Sequence, residues 1–198
     1  MPELPEVETI TRSIKKYLIN NTFTYLHVNW EKTLHNFTLF DFNTKIKGIP
    51  IKNVYRRGKY IVLNLDNLIL AIHLRMSGKL YLVDSIEPNK KHISLYIKLT
   101  DKILIFEDTR KFGKFYLYEN INYLNDRIGI EPLSTDFSKS WIIHNMKKRR
   151  RQIKSLLLDQ SFICGIGNIY ADEALWYAEI NPLSISNCIS SIKLIKLR

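Results

Sequence analysis

The feature that most constrains this chain is a series of short alternating segments across its first two thirds. They are "FTYLHVNW" (23–30), "TKIKGIPIKNVYRRG" (44–58), "KYIVLNLD" (59–66), "LILAIHLRMSGKLYLVD" (68–84), "ISLYIKLTD" (93–101), "KILIFEDTR" (102–110) and "GKFYLYE" (113–119). Each is rich in β-branched and aromatic residues, and Asp66-Asn67, Ser77-Gly78 and Thr100-Asp101 punctuate them as turns. Regular short strands with turn signals predict a β-sandwich or barrel. No helical pattern alternates with them, so a parallel βαβ sheet is not expected.

Helical spacing flanks this β region. Val7, Ile10, Ile14, Tyr17 and Leu18 recur on one stripe and predict a helix from about Pro5 to Leu18. Pro5 suits its first turn, Glu6 and Glu8 suit its positive end, and Asn20-Asn21 ends it. Near Gly129 the texture changes, and "GIEPLSTDF" carries loop and capping residues. "KSWIIHNMKKRRRQIKSLLLDQ" (139–160) and "NIYADEALWYAEI" (168–180) then read as helices, Pro182 stops the second, and "SNCISSIKLIKLR" (186–198) begins another. The expected architecture is α+β: residues 1–130 form a β domain with a leading helix, and residues 131–198 form a helical domain.

Charge points to a partner. The 198 residues hold 30 Lys and Arg against 19 acids, a formal charge of +11. Such a balance favours an anionic partner, nucleic acid ahead of membrane. The plainer reading is a basic protein of RNA or ribosome type. The hydrophobic share of 45% is ample for a core. The two cysteines, Cys164 and Cys188, form no Cys-x-x-Cys pair, so neither a zinc site nor a disulfide framework is indicated and a cytoplasmic setting fits. A signal peptide and a membrane span are not expected either.

Several residues suit chemistry. Pro2 follows a methionine that is commonly removed before a small residue, which leaves a free secondary amine. An α-amino group titrates near ~7.7–8.0, so a useful fraction is neutral and nucleophilic at physiological pH. Alone, Pro2 reads more simply as an inert chain start. Glu3 beside it could handle protons at an anomeric carbon, and Lys59 in "RRGKY" could do so at a strand end or contact phosphate alongside Arg56 and Arg57. Met76, before Ser77-Gly78, suits an apolar wedge. Arg110 and Phe112 in "DTRKFGKF" suit filling the gap left by an extruded base. Ordinary turn and core roles are the default for all three.

"KKRRRQIK" places six basic residues within Lys147–Lys154, more than a solvated helix face needs, which favours tracking of phosphates. In "CGIGNIYADEALW", Gly165 and Gly167 allow close backbone approach, and the following helix start offers free N–H groups to an anion. No strand precedes this Gly-x-Gly, so it is not a dinucleotide fingerprint.

Together these stretches resemble the formamidopyrimidine-DNA glycosylase family. The resemblance rests on "PELPEVE" at residues 2–8, "RRGKY", "HLRMSGKL", Lys91-His92, "DTRKFG", "GIEPL" and "IK…GIGNIYADEALW", which cover essentially the whole chain in the family's order. It implies a two-layered β-sandwich followed by a helix-two-turns-helix domain. It further implies a bacterial base-excision glycosylase and AP lyase that acts as a monomer on damaged double-stranded DNA and removes oxidised purines. Pro2 would be the Schiff-base nucleophile, Glu3 the proton donor, and Lys59 the proton donor in β-elimination.

By the same resemblance Met76, Arg110 and Phe112 enter the duplex. His92, Arg110, Arg150, Lys154, Asn168, Gly165 and Gly167 contact DNA. Glu6 and Glu131 match buried acids that shape the pocket, and Glu173 is placed with them. The family's four-cysteine zinc finger has no ligands here, since Cys164 and Cys188 are not finger positions. The chain is therefore expected to be C-terminally truncated and without metal or cofactor. Weak, strongly salt-sensitive DNA binding and impaired excision are expected, with a catalytically impaired DNA-binding remnant as the alternative.

Overall fold

The computed structural model describes residues 1–87 and 90–198. The chain forms two compact units, Met1–Tyr123 and Leu124–Arg198, so the division falls earlier than residue 130.

In the first unit, helix α1 (Leu4–Leu18) starts from Glu3, which holds an extended conformation and closes a reciprocal capping box with Glu6. Val7, Thr11, Ile14 and Leu18 form its buried stripe. Burying each large apolar side chain contributes about 1.5–3 kcal/mol, which outweighs the modest intrinsic preference of a 15-residue helix.

Among the described residues eight strands follow: β1 (Tyr25–Val28), β2 (Asn53–Arg57), β3 (Tyr60–Leu65), β4 (Leu68–His73), β5 (Gly78–Val83), β6 (Ile93–Lys98), β7 (Ile103–Asp108) and β8 (Lys114–Tyr118). They build two four-stranded antiparallel sheets, ordered β1-β6-β7-β5 and β2-β3-β4-β8. Side chains of both sheets share one core. Leu95, Leu104 and Phe106 come from the first sheet, and Val54, Ile61, Leu63, Leu70, Ile72 and Phe115 from the second. Phe106 and Phe115 meet edge to face, with ring centroids 5.2 Å apart.

One expected strand is partly helix. The pattern beginning "TKIKGIP" reads as alternation, yet only Asn53–Arg57 of that stretch is extended. A capping box between Thr38 and Asp41 starts a short helix, α2 (Leu39–Asp41), which widens into a π-helical turn over Phe42–Ile46. Phe42 and Ile46, four residues apart, are both fully buried. Their helical spacing wins over the local alternation.

The second unit is helical. A single turn, α3 (Asn122–Asn125), bridges the division, followed by α4 (Lys139–Lys147), α5 (Ile153–Leu157), α6 (Asn168–Tyr177) and α7 (Ser191–Leu197). Ile142, Met146, Ile153, Leu156, Ala171, Leu175 and Leu194 form its separate core. The stretch 139–160, read as one helix, is broken at Lys148–Gln152. There the backbone pairs with another segment: Ile153 N–H donates to Ser184 O, and Ser186 N–H and Oγ–H donate to Arg151 O and Arg149 O. Consecutive like charges also disfavour a continuous helix.

Candidate active site and nucleic-acid interface

In the first unit, the start of α1 carries Pro2, half-buried, and Glu3, only 3% exposed. Glu3 N–H donates to Glu6 Oε2 at 2.9 Å. The capping box thus fixes the backbone beside Pro2. Glu6 is exposed, so it serves as this helix cap and not as the buried acid the resemblance implies.

The turn between β2 and β3 has two residues, Gly58 and Lys59, with Arg57 opposite Tyr60. Gly58 takes a φ of +57°, which glycine tolerates without cost. Lys59 is 6% exposed, so the turn presents it inward instead of to solvent. Arg56 ties this turn to α1. Its Nε donates to Glu8 Oε2 at 3.0 Å and its Nη1 to Gly58 O at 3.0 Å. Glu8 also accepts from Arg12 Nε at 2.7 Å. Burial pushes the Glu8 carboxyl up, but the Arg12 and Arg56 guanidiniums outweigh it and hold it below its ordinary value. Glu8 is therefore more than a helix-dipole acid: it connects the helix bearing Glu3 to the turn bearing Lys59.

Sequence reasoning passed over His73, at the end of β4. Burial, then the positive charges of Arg75 and Lys59, push its pKa down to about 3, so the ring is neutral at physiological pH. Its Nδ1 accepts the Arg75 N–H at 3.0 Å, which places the ring proton on Nε2. Tyr60 packs edge-on against it, centroids 4.6 Å apart. The signal was a histidine closing an otherwise apolar strand, "LILAIH".

Met76, Arg110 and Phe112 lie in two turns, 74–77 and 109–113. Met76 and Phe112 are 47% and 48% exposed, which leaves both open to a partner. The Arg110 guanidinium sits 4.9 Å from the Phe112 ring centroid. Lys111 turns the other way, with Nζ 4.4 Å from the Trp30 ring centroid. His92 is exposed, and its backbone O accepts from Asp108 N–H at 2.9 Å. Arg75, His92 and Lys111 all take positive φ (+55°, +66° and +59°) in these connections. Strained non-glycine backbone tends to gather at functional sites.

One pattern unites this unit. Among the described residues, the buried carboxyl, amine and imidazole side chains are Glu3, Lys59, His73 and Asp108. Such groups are costly to bury, and all four lie at strand or helix ends or in the connecting turns.

In the second unit, the run Lys147–Lys154 is mostly engaged. Lys147 Nζ donates to Asn187 O at 3.0 Å, and the Arg149 guanidinium stacks 4.3 Å over Phe162. Arg151 pairs with Asp159 at 2.6 Å, and Lys154 with Asp172 at 2.7 Å. Lys148 and Arg150 are exposed. Gly165 takes a φ of +87°, and its N–H donates to Gln160 Oε1 at 2.9 Å. Gln160 Nε2 donates in turn to Ile166 O at 2.7 Å, so one unpredicted side chain shapes the glycine loop. Gly167 caps α6 without a side-chain hydrogen bond, and Asn168, exposed, opens the helix. Glu131 is half-buried and Glu173 exposed, so neither is a fully buried acid.

Cys164 is buried, Cys188 is exposed, and neither is in a disulfide. Among the described residues no three His, Cys, Asp or Glu side chains group to hold a metal. No described helix is long and apolar enough to cross a membrane.

Comparison with known proteins assigns both units. Residues 1–115 match the family model of the formamidopyrimidine-DNA glycosylase N-terminal domain, and residues 128–197 match that of its H2TH domain. The formamidopyrimidine-DNA glycosylase of Protochlamydia amoebophila is 42% identical over 193 residues, 96% of this chain and 70% of that protein. That of Herpetosiphon aurantiacus is 39% identical, over 100% of this chain and 74% of its own length. The Lactococcus lactis enzyme, solved non-covalently bound to DNA containing an AP site, superposes with a TM-score of 0.91 at 33% identity, covering 98% of this chain and 76% of that one. A MutM solved with DNA containing carbocyclic 8-oxo-G gives 0.91 at 34% identity, with coverages of 99% and 75%. With both family domains matched along its length and relatives about 40% identical across nearly all of it, this chain belongs to the formamidopyrimidine-DNA glycosylase family.

Proposed function

We propose that this protein excises oxidised purines from duplex DNA and cleaves the resulting abasic site, working as a monomer in the bacterial cytoplasm. The observation that carries this reading is that, among the described residues, the first unit buries the carboxyl, amine and imidazole groups of Glu3, Lys59, His73 and Asp108 at helix and strand ends and turns. The solved relatives bound to AP-site and 8-oxo-G DNA support the substrate class.

The chemistry follows from the groups. Once Met1 is removed, the neutral Pro2 amine attacks C1′ of the damaged nucleotide, the bond from C1′ to the base breaks with its electron pair leaving on the base, and the proton shed by the Pro2 nitrogen neutralises the departing base. Glu3 donates a proton to the sugar-ring oxygen, which opens the ring and leaves a cationic iminium between Pro2 and C1′. That cation acidifies C2′. Loss of a C2′ proton expels the 3′ phosphate in β-elimination, with Lys59 serving the proton traffic, and water then releases the sugar from Pro2. The neutral His73 ring, proton on Nε2, supplies a donor beside Lys59 without adding a second positive charge.

Extruding a base costs a few kcal/mol. Met76, Arg110 and Phe112 offset it by filling the gap, and His92, Lys148, Arg150, Asn168 and the amides at the start of α6 contact phosphates. Lys154 is shared with Asp172, so it meets phosphate only as one member of that pair.

Excision kinetics test the reading. Glu3→Gln keeps the shape of the cap but removes the acid, and is expected to slow release of 8-oxoguanine from a duplex by about 10²–10⁴-fold, the range for general acid catalysis. Wild-type protein that binds the lesion duplex yet releases no base would refute the reading and leave a DNA-binding remnant.

A further inference from the structure

The two turns that carry Met76 and Arg110–Phe112 are joined through one buried side chain. Asp108, 1% exposed, ends β7. Its Oδ1 accepts from Ser77 Oγ–H and, at 3.2 Å, from Arg110 N–H. Its Oδ2 accepts from Gly113 N–H at 2.7 Å. Ser77 Oγ itself accepts from Arg110 N–H at 3.2 Å. Three donors from two separate turns therefore converge on one carboxyl group, the arrangement an acceptor-only carboxylate satisfies.

The surroundings leave little slack. A Cβ on Gly113 would lie 2.2 Å from the Phe106 ring and 3.1 Å from Asp108 Oδ2. A Cβ on Gly78 would lie 2.4 Å from Leu74 O. Both glycines are thus required by close approach, at the edges of the same node. Arg110 and Phe112 flank Lys111, whose positive φ needs an external constraint to persist.

We propose that Asp108, acting through Ser77, is a positioning residue that locks the Met76 turn and the Arg110–Phe112 turn into one rigid wedge. This rests on the reading above that these side chains enter the duplex. In that reading one turn cannot withdraw from DNA while the other stays, so Met76 and the Arg110–Phe112 pair enter the gap together. Without the lock, each turn samples its own positions, and insertion loses its pre-organisation.

Amide exchange and trapping on the full chain test this together. Ser77→Ala removes the bridging hydroxyl, and Ser77→Thr restores one. Exchange is followed at Arg110 and Gly113 in one turn and at Gly78 in the other, with Leu104–Phe106 in the core as the folding control. Gly78 N–H donates to Leu74 O in its own turn, so a change there reports the link between turns. In Ser77→Ala, exchange is expected to accelerate about tenfold in both turns and not in the core, the scale of losing one hydrogen bond to a charged group. Ser77→Thr is expected to recover most of the protection. Acceleration at Arg110 alone, or equal acceleration in the core, overturns the proposal.

Borohydride trapping supplies the functional arm. Ser77→Ala is expected to lower adduct formation on an abasic duplex about tenfold and on an abasic single strand less than twofold, because a single strand needs no wedge. An equal loss on both overturns the positioning role. If wild-type protein traps neither substrate, the proposed function fails, and the exchange arm alone decides the link between the turns.

Discussion

A buried histidine that cannot take up a proton leaves a measurable trace. His73 is held down to about 3 from an ordinary 6.5 by burial first and by Arg75 and Lys59 next. Its folded pKa is depressed, so between these values the unfolded chain binds more protons than the folded one. Stability is therefore lost as pH falls through 6.5 towards 3, by up to about 1.4 kcal/mol per pH unit for one such group. Glu8, Glu107 and Asp159 are also held low, but they begin to matter only nearer pH 4.5. The window from pH 6.5 to 5 therefore belongs mainly to His73. His73→Gln should flatten the dependence of chemical denaturation midpoints over that window, and an unchanged slope would contradict the assignment.

The same residue shows a limit of sequence reading. Pro2, Glu3 and Lys59 were singled out through the family motifs that carry them, since alone Pro2 reads as an inert chain start and Lys59 as a turn residue. His73 and Asp108 were not, because a strand-terminal histidine and an aspartate before a turn look ordinary until burial is known.

At the level of elements, α1 and the β2–β3 hairpin act as one device. Arg56 is the joint, with only 10% of its side chain exposed. Glu8→Ala would remove one carboxylate partner of this guanidinium. A fully buried pair broken this way costs about 3–5 kcal/mol. The Glu8 side chain is 32% exposed, so about 1–2 kcal/mol is expected here after solvent screening. The loss should appear as a lower melting temperature together with slower β-elimination, since the turn bearing Lys59 is freed. A drop in stability without any change in lyase rate would show that the joint only supports the fold.

Most elements were legible from pattern. The alternation of "KYIVLNLD" and "KILIFEDTR" gave β3 and β7 within a residue or so of their bounds. The failures have physical causes. "TKIKGIP" alternates locally, but Phe42 and Ile46 reach the core only if the chain is helical there. The basic run 147–154 looks like a helix face, but segment 184–186 claims its backbone.

For the whole molecule, a charge of +11 is carried on two separately packed units, each with its own hydrophobic cluster. The chain spans about 70–74% of the length of the curated relatives named above. Within the second unit, charge count overstates phosphate contact, because Lys147, Arg149, Arg151 and Lys154 have partners of their own. Replacing exposed Lys148 and Arg150 together by Ala should reduce the slope of log affinity against log salt by about 1.8, at about 0.9 per duplex phosphate contact. The Lys147 and Arg149 double variant should change the slope far less. Equal slopes for the two variants would contradict the division between engaged and open cations.

The central claim is that the N-terminal proline amine bonds to C1′ of the lesion, and it is tested most directly by locating that bond. Protein incubated with an abasic duplex is reduced with borohydride, digested, and the modified peptide sequenced by mass spectrometry. A single sugar adduct is expected on the Pro2 nitrogen, in protein that has lost Met1, and none in protein that retains Met1. An adduct on Lys59, or no adduct on protein with a free Pro2 amine, would contradict it.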